Sequence, residues 1–346
     1  MKIALDATYS VGEELSGVAV YSRSLLFGMA EAHADIRFLF CYRANRFVRA
    51  LSTTLPANCR RALLQEPFLP RDADLFHGLN QRLPRGKLRR TVTTFHDLFV
   101  LTGDYSTPEF RRRFTEQARH AAMNSDRIIA VSHFTAGQVR ELLGVDPERI
   151  RVVHHGLGWT NIPSGGTREK LILHVGAIQR RKNLSRLVTA FETAPPEWRL
   201  VLAGSSGFGA EEILKQIGSS PAGGRIEVTG YISRERLADY YSRAMIFAFP
   251  SLDEGFGIPV LEAMAAGVPV LTSNRSALLE VAGDAAILVD PEDQAAITEA
   301  LQKLCRDEET RARLAAAGKG RIGDFSWDRA VEQTWQVYRE LFVRSG

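Results

Sequence analysis

Cysteine is scarce in this chain: three in 346 residues, at positions 41, 59 and 305, with no CxxC pair. That spacing argues against a disulfide framework or a structural zinc site and predicts a reducing compartment. No stretch reaches the 18 or so consecutive apolar residues that a membrane span requires. The opening MKIALDATYS lacks the apolar core of a secretory leader, because Asp6 interrupts it. Basic residues are not interleaved with an aromatic platform, so a sequence pI near 9.0 does not by itself make nucleic acid an expected partner. Together these absences predict a soluble, cytoplasmic protein.

What is present is an ordinary globular balance of 45% apolar and 24% charged residues, at a length that predicts two domains. Charge is uneven along the chain. Residues 1–163 hold 22 Lys and Arg against 16 Asp and Glu, whereas the remainder is slightly acidic. Arg43, Arg46 and Arg49 form one basic run, Arg82 to Arg90 another, and Arg111-Arg112-Arg113 a third. Solvated surface is the plain reading of such runs. Attraction to phosphates, including those of an anionic membrane face, is the functional one.

Short apolar runs alternate with helical patterns throughout. Strands are expected at residues 2–7, 36–42, 61–64, 74–76, 91–95, 127–131 and 150–153. A second series follows at 171–175, 199–204, 226–231, 245–249, 268–271 and 287–289. Regular βα alternation predicts parallel, doubly wound sheets, in which ligands sit outside the carboxyl ends of the strands. Residues 163–167 (PSGGT) read as a hinge. The expected domains are therefore 1–163 and 164–325, with an amphipathic last helix over 326–346.

The most informative stretch is FPSLDEGFGIPVLEAMAAGVPVLT, residues 249–272. It reads as strand, glycine loop, helix, turn and strand. Gly255 and Gly257 let backbone approach a ligand, and Pro259 suits the first helical turn. Glu254 and Glu262 flank the helix N-terminus, which offers unpaired N–H groups and partial positive charge. An anion seat beside carboxylates that accept hydroxyl hydrogen bonds suits a sugar nucleotide. Capping and surface decoration is the plainer alternative for the two glutamates.

Every fixed position of Pro-Ser-x-x-Glu-Gly-Phe-Gly-x-Pro-x-x-Glu-Ala-Met-Ala-x-Gly-x-Pro-Val is met between Pro250 and Val270. This stretch resembles the signature of the retaining family-4 glycosyltransferases. The resemblance implies the GT-B fold: two Rossmann-like domains facing a cleft, with the last helix crossing back to the first domain. It implies that Glu254 holds the transferred sugar, with Gly255, Phe256 and Gly257 around the donor, and that Glu262 holds the ribose. Residues 176–183 (GAIQRRKN) resemble the family's Arg-Lys-Asn loop, which implies Arg181 and Lys182 as a diphosphate clamp. Ala177 stands where many members carry an arginine, so the division of labour with Arg180 is open. The nucleotide base is expected against Gly230, Tyr231 and Ile232.

The Thr-x-x-His-Asp-Leu segment ending at Leu98 is similar to that of bacterial mannosyltransferases of lipopolysaccharide and exopolysaccharide assembly. It implies that His96 reaches the donor sugar, with Asp97 as its orienting partner or an acceptor contact. Only Gly17 of the family's paired loop glycines is present, Ser16 replacing the other. Ser132 and His155 are expected on the acceptor side. Asp72-Ala73-Asp74 precedes a strand instead of ending one and reads as a turn, so no metal is implied, nor any cofactor beyond the donor. The expected reaction is transfer of a hexose, mannose from GDP-mannose foremost, to a saccharide or lipid-linked acceptor. A UDP-hexose donor and a non-catalytic sugar-nucleotide-binding module are the alternatives. An epimerase or a phosphorylase would need acid/base groups at the sugar or a cofactor-bearing lysine.

Overall fold

The computed structural model describes residues 1–12, 16–157 and 167–343. The expected hinge over residues 163–167 falls almost wholly outside them. The chain divides into two compact units, one of Met1–Thr102, Thr107–Gly158 and Ser326–Gly346, the other of Gly103–Ser106 and Trp159–Phe325.

The first unit is a seven-stranded, wholly parallel sheet. Its first elements are β1 (Lys2–Asp6), α1 (Gly17–Ala32), β2 (Arg37–Tyr42), α2 (Ala44–Ala50), β3 (Cys59–Leu63) and β4 (Leu75–Gly78). Then come β5 (Thr91–Phe95), α3 (Phe99–Thr102), α4 (Pro108–Asn124), β6 (Arg127–Ala130), α5 (His133–Leu143) and β7 (Ile150–Val152). Side chains alternate across each strand. Ile3 and Leu5 point to one core layer with Phe38 and Phe40, while Ala4 points to the other with Phe76 and Phe95. The spatial order is β3-β2-β1-β4-β5-β6-β7. The chain winds outward from β1 to β3, then restarts at β4 on the far side of β1. That reversal opens a crevice above the carboxyl ends of β1 and β4.

The second unit repeats the scheme with six parallel strands in the order β10-β9-β8-β11-β12-β13. Its elements begin with β8 (Glu169–Val175), α6 (Leu184–Glu192), β9 (Arg199–Ala203), α7 (Ala210–Ser219), β10 (Ile226–Gly230) and α8 (Arg234–Arg243). They continue with β11 (Ala244–Phe249), α9 (Ile258–Ala265), β12 (Val270–Ser273), α10 (Ser276–Ala282), β13 (Ala286–Val289), α11 (Gln294–Arg306) and α12 (Glu308–Arg321). Leu187, Phe191, Ile213, Ile297 and Leu301 close one core layer. Here the winding reverses between β8 and β11.

The last helix, α13 (Trp327–Val343), belongs to the first unit. Val331, Tyr338 and Leu341 join that unit's core beside α1, with Trp335 and Phe342 half-buried against it. Tyr338 hydrogen-bonds His77 Nδ1 at 2.6 Å, and Glu340 accepts from Arg127 and Arg151 at 2.7–2.9 Å.

Two boundaries differ from expectation for local reasons. The strand expected from residue 268 starts at Val270, because Val268 N–H still bonds the Ala263 carbonyl as part of the helix stop. Asp290-Pro291-Glu292 reads in the sequence as the opening of a helix, which starts at Gln294. Asp290 makes a turn with Glu292 N–H, and Asp293 caps by accepting from Ala296 N–H at 3.0 Å. Among the described residues no helix is long and apolar enough to cross a membrane.

Candidate active site

Two loops rise from the reversal in the second unit, Gly176–Asn183 after β8 and Pro250–Gly257 after β11. They are held by hydrogen bonds in which polar side chains meet backbone groups, and by one bond between backbones. Leu252 N–H donates to the Arg181 carbonyl at 2.9 Å. Asn183, held at φ +59°, ends a 3-10 turn over Arg180–Lys182, and its amide donates to the carbonyls of Pro250 at 3.0 Å and Pro291 at 2.6 Å. Ser273 donates to the Ser251 carbonyl at 2.6 Å, and Glu254 N–H donates to Ser276 Oγ at 3.2 Å. Gly257 sits at φ +112° before α9, and a Cβ there would lie 2.7 Å from Leu278. Only glycine meets both conditions.

This framework brings three of the expected residues into one buried cluster. Glu254 accepts from Arg181 at 2.9 Å and from Lys182 at 2.5 Å, with each side chain less than a tenth exposed. Arg181 also donates to the Asp253 carbonyl, and the Lys182 ammonium lies 4.6 Å from the centre of the Phe249 ring. Burial alone would raise the Glu254 carboxyl, but the two cations outweigh it and hold the group at about 2. The carboxylate is therefore ionised at neutral pH, facing two positive charges. Arg180 points away, pairing with Glu212 at 3.0 Å and Asp104 at 3.5 Å. Of the three adjacent cations, Arg181 and Lys182 are the two that pair with Glu254.

Glu262 lies one helix further along. Burial pushes its carboxyl up to about 7, opposed by a hydrogen bond from the Tyr241 hydroxyl at 3.0 Å. Gly255 and Phe256 are buried in the same loop, Phe256 edge-on to Phe325 at 5.7 Å. Gly230 ends β10 at φ +66°, followed by exposed Tyr231 and half-buried Ile232. Tyr241 and His174 carry no sign of their own in the sequence. His174, fully buried, bonds the Ala248 carbonyl at 2.9 Å and stacks on Phe249 at 5.2 Å, under the lysine.

The remaining expected residues lie in the first unit. His96 ends β5 with its Nε2 on the Leu79 carbonyl at 2.9 Å, and burial lowers it to about 4 against that bond. The imidazole is neutral at pH 7, and because a carbonyl only accepts, Nδ1 is left as the acceptor nitrogen. Tyr21 packs edge-on to it at 4.6 Å and His155 stacks on it at 5.4 Å. Asp97 is half-buried at the same strand end; the contact that fixes His96 Nε2 is the Leu79 carbonyl. Ser132, expected toward an acceptor, is fully buried and caps α5 by accepting from Thr135 N–H at 3.0 Å. His155 is likewise buried, packed between His96 and Trp327. Gly17 is the exposed first residue of α1, whose cap is Ser16. Asp74 accepts from Lys2 N–H at 2.9 Å and from Arg89 at 3.2 Å, and Asp72 pairs with the Lys2 ammonium, so the Asp-Ala-Asp segment is a structural turn.

The chain matches the family described as "Glycosyl transferases group 1" over residues 161–321 and the one described as "Glycosyltransferase Family 4" over residues 16–157. It is 32% identical over 284 residues to O-antigen chain mannosyltransferase B of Escherichia coli, covering 77% of this chain and 74% of that protein. It is 34% identical over 279 residues to a D-inositol 3-phosphate glycosyltransferase of Xylanimonas cellulosilytica, covering 73% of this chain and 66% of that one. The E. coli mannosyltransferase WbdA is 28% identical over 278 residues, but only 34% of its length is matched. Among solved structures, a sucrose-phosphate synthase from Thermosynechococcus elongatus superposes with a TM-score of 0.82 at 24% identity over the whole of both chains. Anabaena HepE in complex with UDP-glucose superposes at 0.75 with 18% identity, over 99% of this chain and 100% of that one. Two parallel Rossmann-like sheets, the complete Pro250–Val270 signature and these matches together place the chain in the family-4, group 1 glycosyltransferases of GT-B fold.

Proposed function

We propose that the protein is a retaining, metal-independent hexosyltransferase that moves mannose from GDP-mannose to a saccharide or lipid-linked acceptor in cell-surface polysaccharide assembly. The observation that carries this reading is the buried Glu254–Arg181–Lys182 cluster at the reversal between β8 and β11. Two cations against one carboxylate leave a net positive charge already stripped of water, suited to a diphosphate. The carboxylate keeps lone pairs for sugar hydroxyls, and Glu262 is the proposed contact of the ribose.

In the proposed step the bond from the sugar's anomeric carbon to the donor phosphate breaks, and its electron pair leaves with the diphosphate. The acceptor hydroxyl bonds to the same face, and its proton passes to the departing phosphate oxygen. Arg181 and Lys182 neutralise the charge that develops there, so the main catalytic contribution is electrostatic. The same two cations supply what a divalent ion would supply, so the reading requires none. His96, neutral with Nδ1 as acceptor, stands at the carboxyl end of β5 as the proposed acceptor of a sugar hydroxyl.

Mannose is favoured over other hexoses by the His96-Asp97-Leu98 segment and by the similarity to two E. coli mannosyltransferases. The test is thermal stabilisation by GDP, UDP, ADP and dTDP, each with and without magnesium. A nucleotide at 100 times its Kd adds about 2.7 kcal/mol. The expected outcome is a shift with GDP, indifferent to magnesium, and release of GDP from GDP-mannose. A shift with UDP alone would overturn the donor, and no shift with any nucleotide would overturn the site.

A further inference from the structure

From Leu171 to Val175 strand β8 is apolar except at His174, a fully buried side chain that the proposed chemistry leaves unused. Its ring stacks on Phe249 of β11, with centres 5.2 Å apart and planes 18° from parallel. Its Nδ1 lies 2.9 Å from the Ala248 carbonyl. A carbonyl only accepts, so Nδ1 carries the proton and Nε2 presents a lone pair. Burial lowers the ring to about 4, which keeps it neutral at pH 7. Among the described residues, the buried Nε2 has no hydrogen-bond partner. A buried acceptor left unpaired is costly, and a phenylalanine would stack on Phe249 without that cost.

The lone pair faces the lysine of the cluster. A Cβ on Gly176 would lie 3.6 Å from His174 Nε2, 3.6 Å from Lys182 Nζ and 3.3 Å from Lys182 Cε. The two nitrogens converge on one point, and Gly176, at φ +149°, keeps a side chain out of it. The ammonium also lies 4.6 Å from the centre of the Phe249 ring, the same ring on which His174 stacks. Glu254 accepts from it at 2.5 Å. An ammonium has three N–H donors, and bonds from a charged donor are among the stronger ones.

We propose that His174 is a positioning residue for Lys182, its Nε2 accepting one N–H of the ammonium when a diphosphate is bound. Glu254 holds a second N–H, and the third is thereby aimed at the phosphate oxygens. In the proposed reaction the sugar also draws on Glu254, and the imidazole keeps the lysine oriented when it does. The inference rests on the nucleotide-sugar reading for the ligand; the pairing of His174 with Lys182 rests on the geometry of the strand ends.

The test is a double-mutant cycle on the full chain, read by calorimetry with GDP, UDP and pyrophosphate. H174N keeps a donor for the Ala248 carbonyl and loses the acceptor at Nε2. H174Q brings an amide oxygen to the place of Nε2. H174F keeps the stack on Phe249 and runs the same cycle if the asparagine variant does not fold. H174N and H174F are expected to bind the nucleotide and pyrophosphate about tenfold more weakly than wild type, with H174Q restoring affinity. In a K182M background the same substitutions are expected to change affinity little, because the partner they act through is gone. Equal affinity in wild type, H174N and H174F overturns the proposal. So does a loss that persists undiminished beside K182M, which would mark a packing role alone. Pyrophosphate binding that shows the coupling, with neither nucleotide bound by wild type, would sink the nucleotide-sugar reading and leave the positioning role standing. Binding of none of the three by wild type overturns both.

Discussion

Glu254 answers to two cations, and those cations are not equivalent when one partner is removed. Breaking a buried ion cluster costs about 3–5 kcal/mol when it strands a charge. Glu254→Gln strands two like charges, whereas Lys182→Met leaves the Arg181–Glu254 pair balanced. The glutamine variant should lower turnover about 100-fold or more while still binding GDP, and should unfold at lower denaturant than the methionine variant. Lys182→Met should mainly weaken nucleotide diphosphate binding, about tenfold. Calorimetry with GDP and urea titrations separate the two, and the reverse ordering would refute the assignment. At Glu262 the folded-state carboxyl is raised to about 7, above its value in the unfolded chain. Its contribution to stability is full below the unfolded value and lost as pH rises through 7. Glu262→Gln should therefore raise the Tm at pH 8 relative to wild type and leave it little changed at pH 5. A Tm difference independent of pH would show that Glu262 does not titrate as described.

At the scale of elements, the site depends on two loops meeting at backbone distance. A Cβ on Gly204, at the end of β9, would fall 2.0 Å from the Gly176 carbonyl oxygen at the end of β8. Gly204→Ala must push the β8 loop, and with it the Arg181–Lys182 turn, away from β11. The expected outcome is a loss of about 2–3 kcal/mol together with weakened GDP binding, where a mere packing defect would change stability alone. The glycine loop and Glu254 were legible in the sequence because a run of fixed positions prescribes the turn and its charge together. The structural part of Asn183 was not, since it acts by donating to Pro250 and Pro291, 67 and 108 residues away. Ser132, expected on the acceptor side, is a fully buried cap of α5 in the fold. Helices α2 and α7 begin without a side-chain cap. In α12, glycines at 318 and 320 blur the helical pattern; a Cβ on Gly318 would lie 3.0 Å from Met264 on α9.

For the whole molecule, acid is the natural probe. Burial lowers His77 to about 3 and His96 and His174 to about 4, and lowers His155 as well. The unfolded chain binds these protons first, so stability falls as pH drops from about 6.5 toward 4. Glu262 opposes this with one proton, and Glu254, held at about 2, adds further loss below the ordinary carboxylate range. Four histidines against one glutamate make the net slope downward. Urea denaturation at pH 7, 5.5 and 4.5 should show progressively lower midpoints; a flat profile would mean the histidines are not buried in solution. The first unit also depends on its distant last helix. A Cβ on Gly28 of α1 would lie 2.7 Å from Val331 of α13, so Gly28→Leu should lower the stability of that unit while leaving GDP binding by the second intact.

Taken by itself, the sequence determined the class of the protein: βα alternation imposed two parallel sheets, and the Pro250–Val270 signature imposed the glycosyltransferase family. Both are local properties, written in periodicity and in contiguous residues. Tertiary structure alone decided which two of three adjacent cations face Glu254, that Tyr241 sits on Glu262, and that arginines following β2 and β4 line one cavity. Those facts arise from the strand order, because only the reversals beside β1 and β8 bring segments far apart in the chain to the same strand ends.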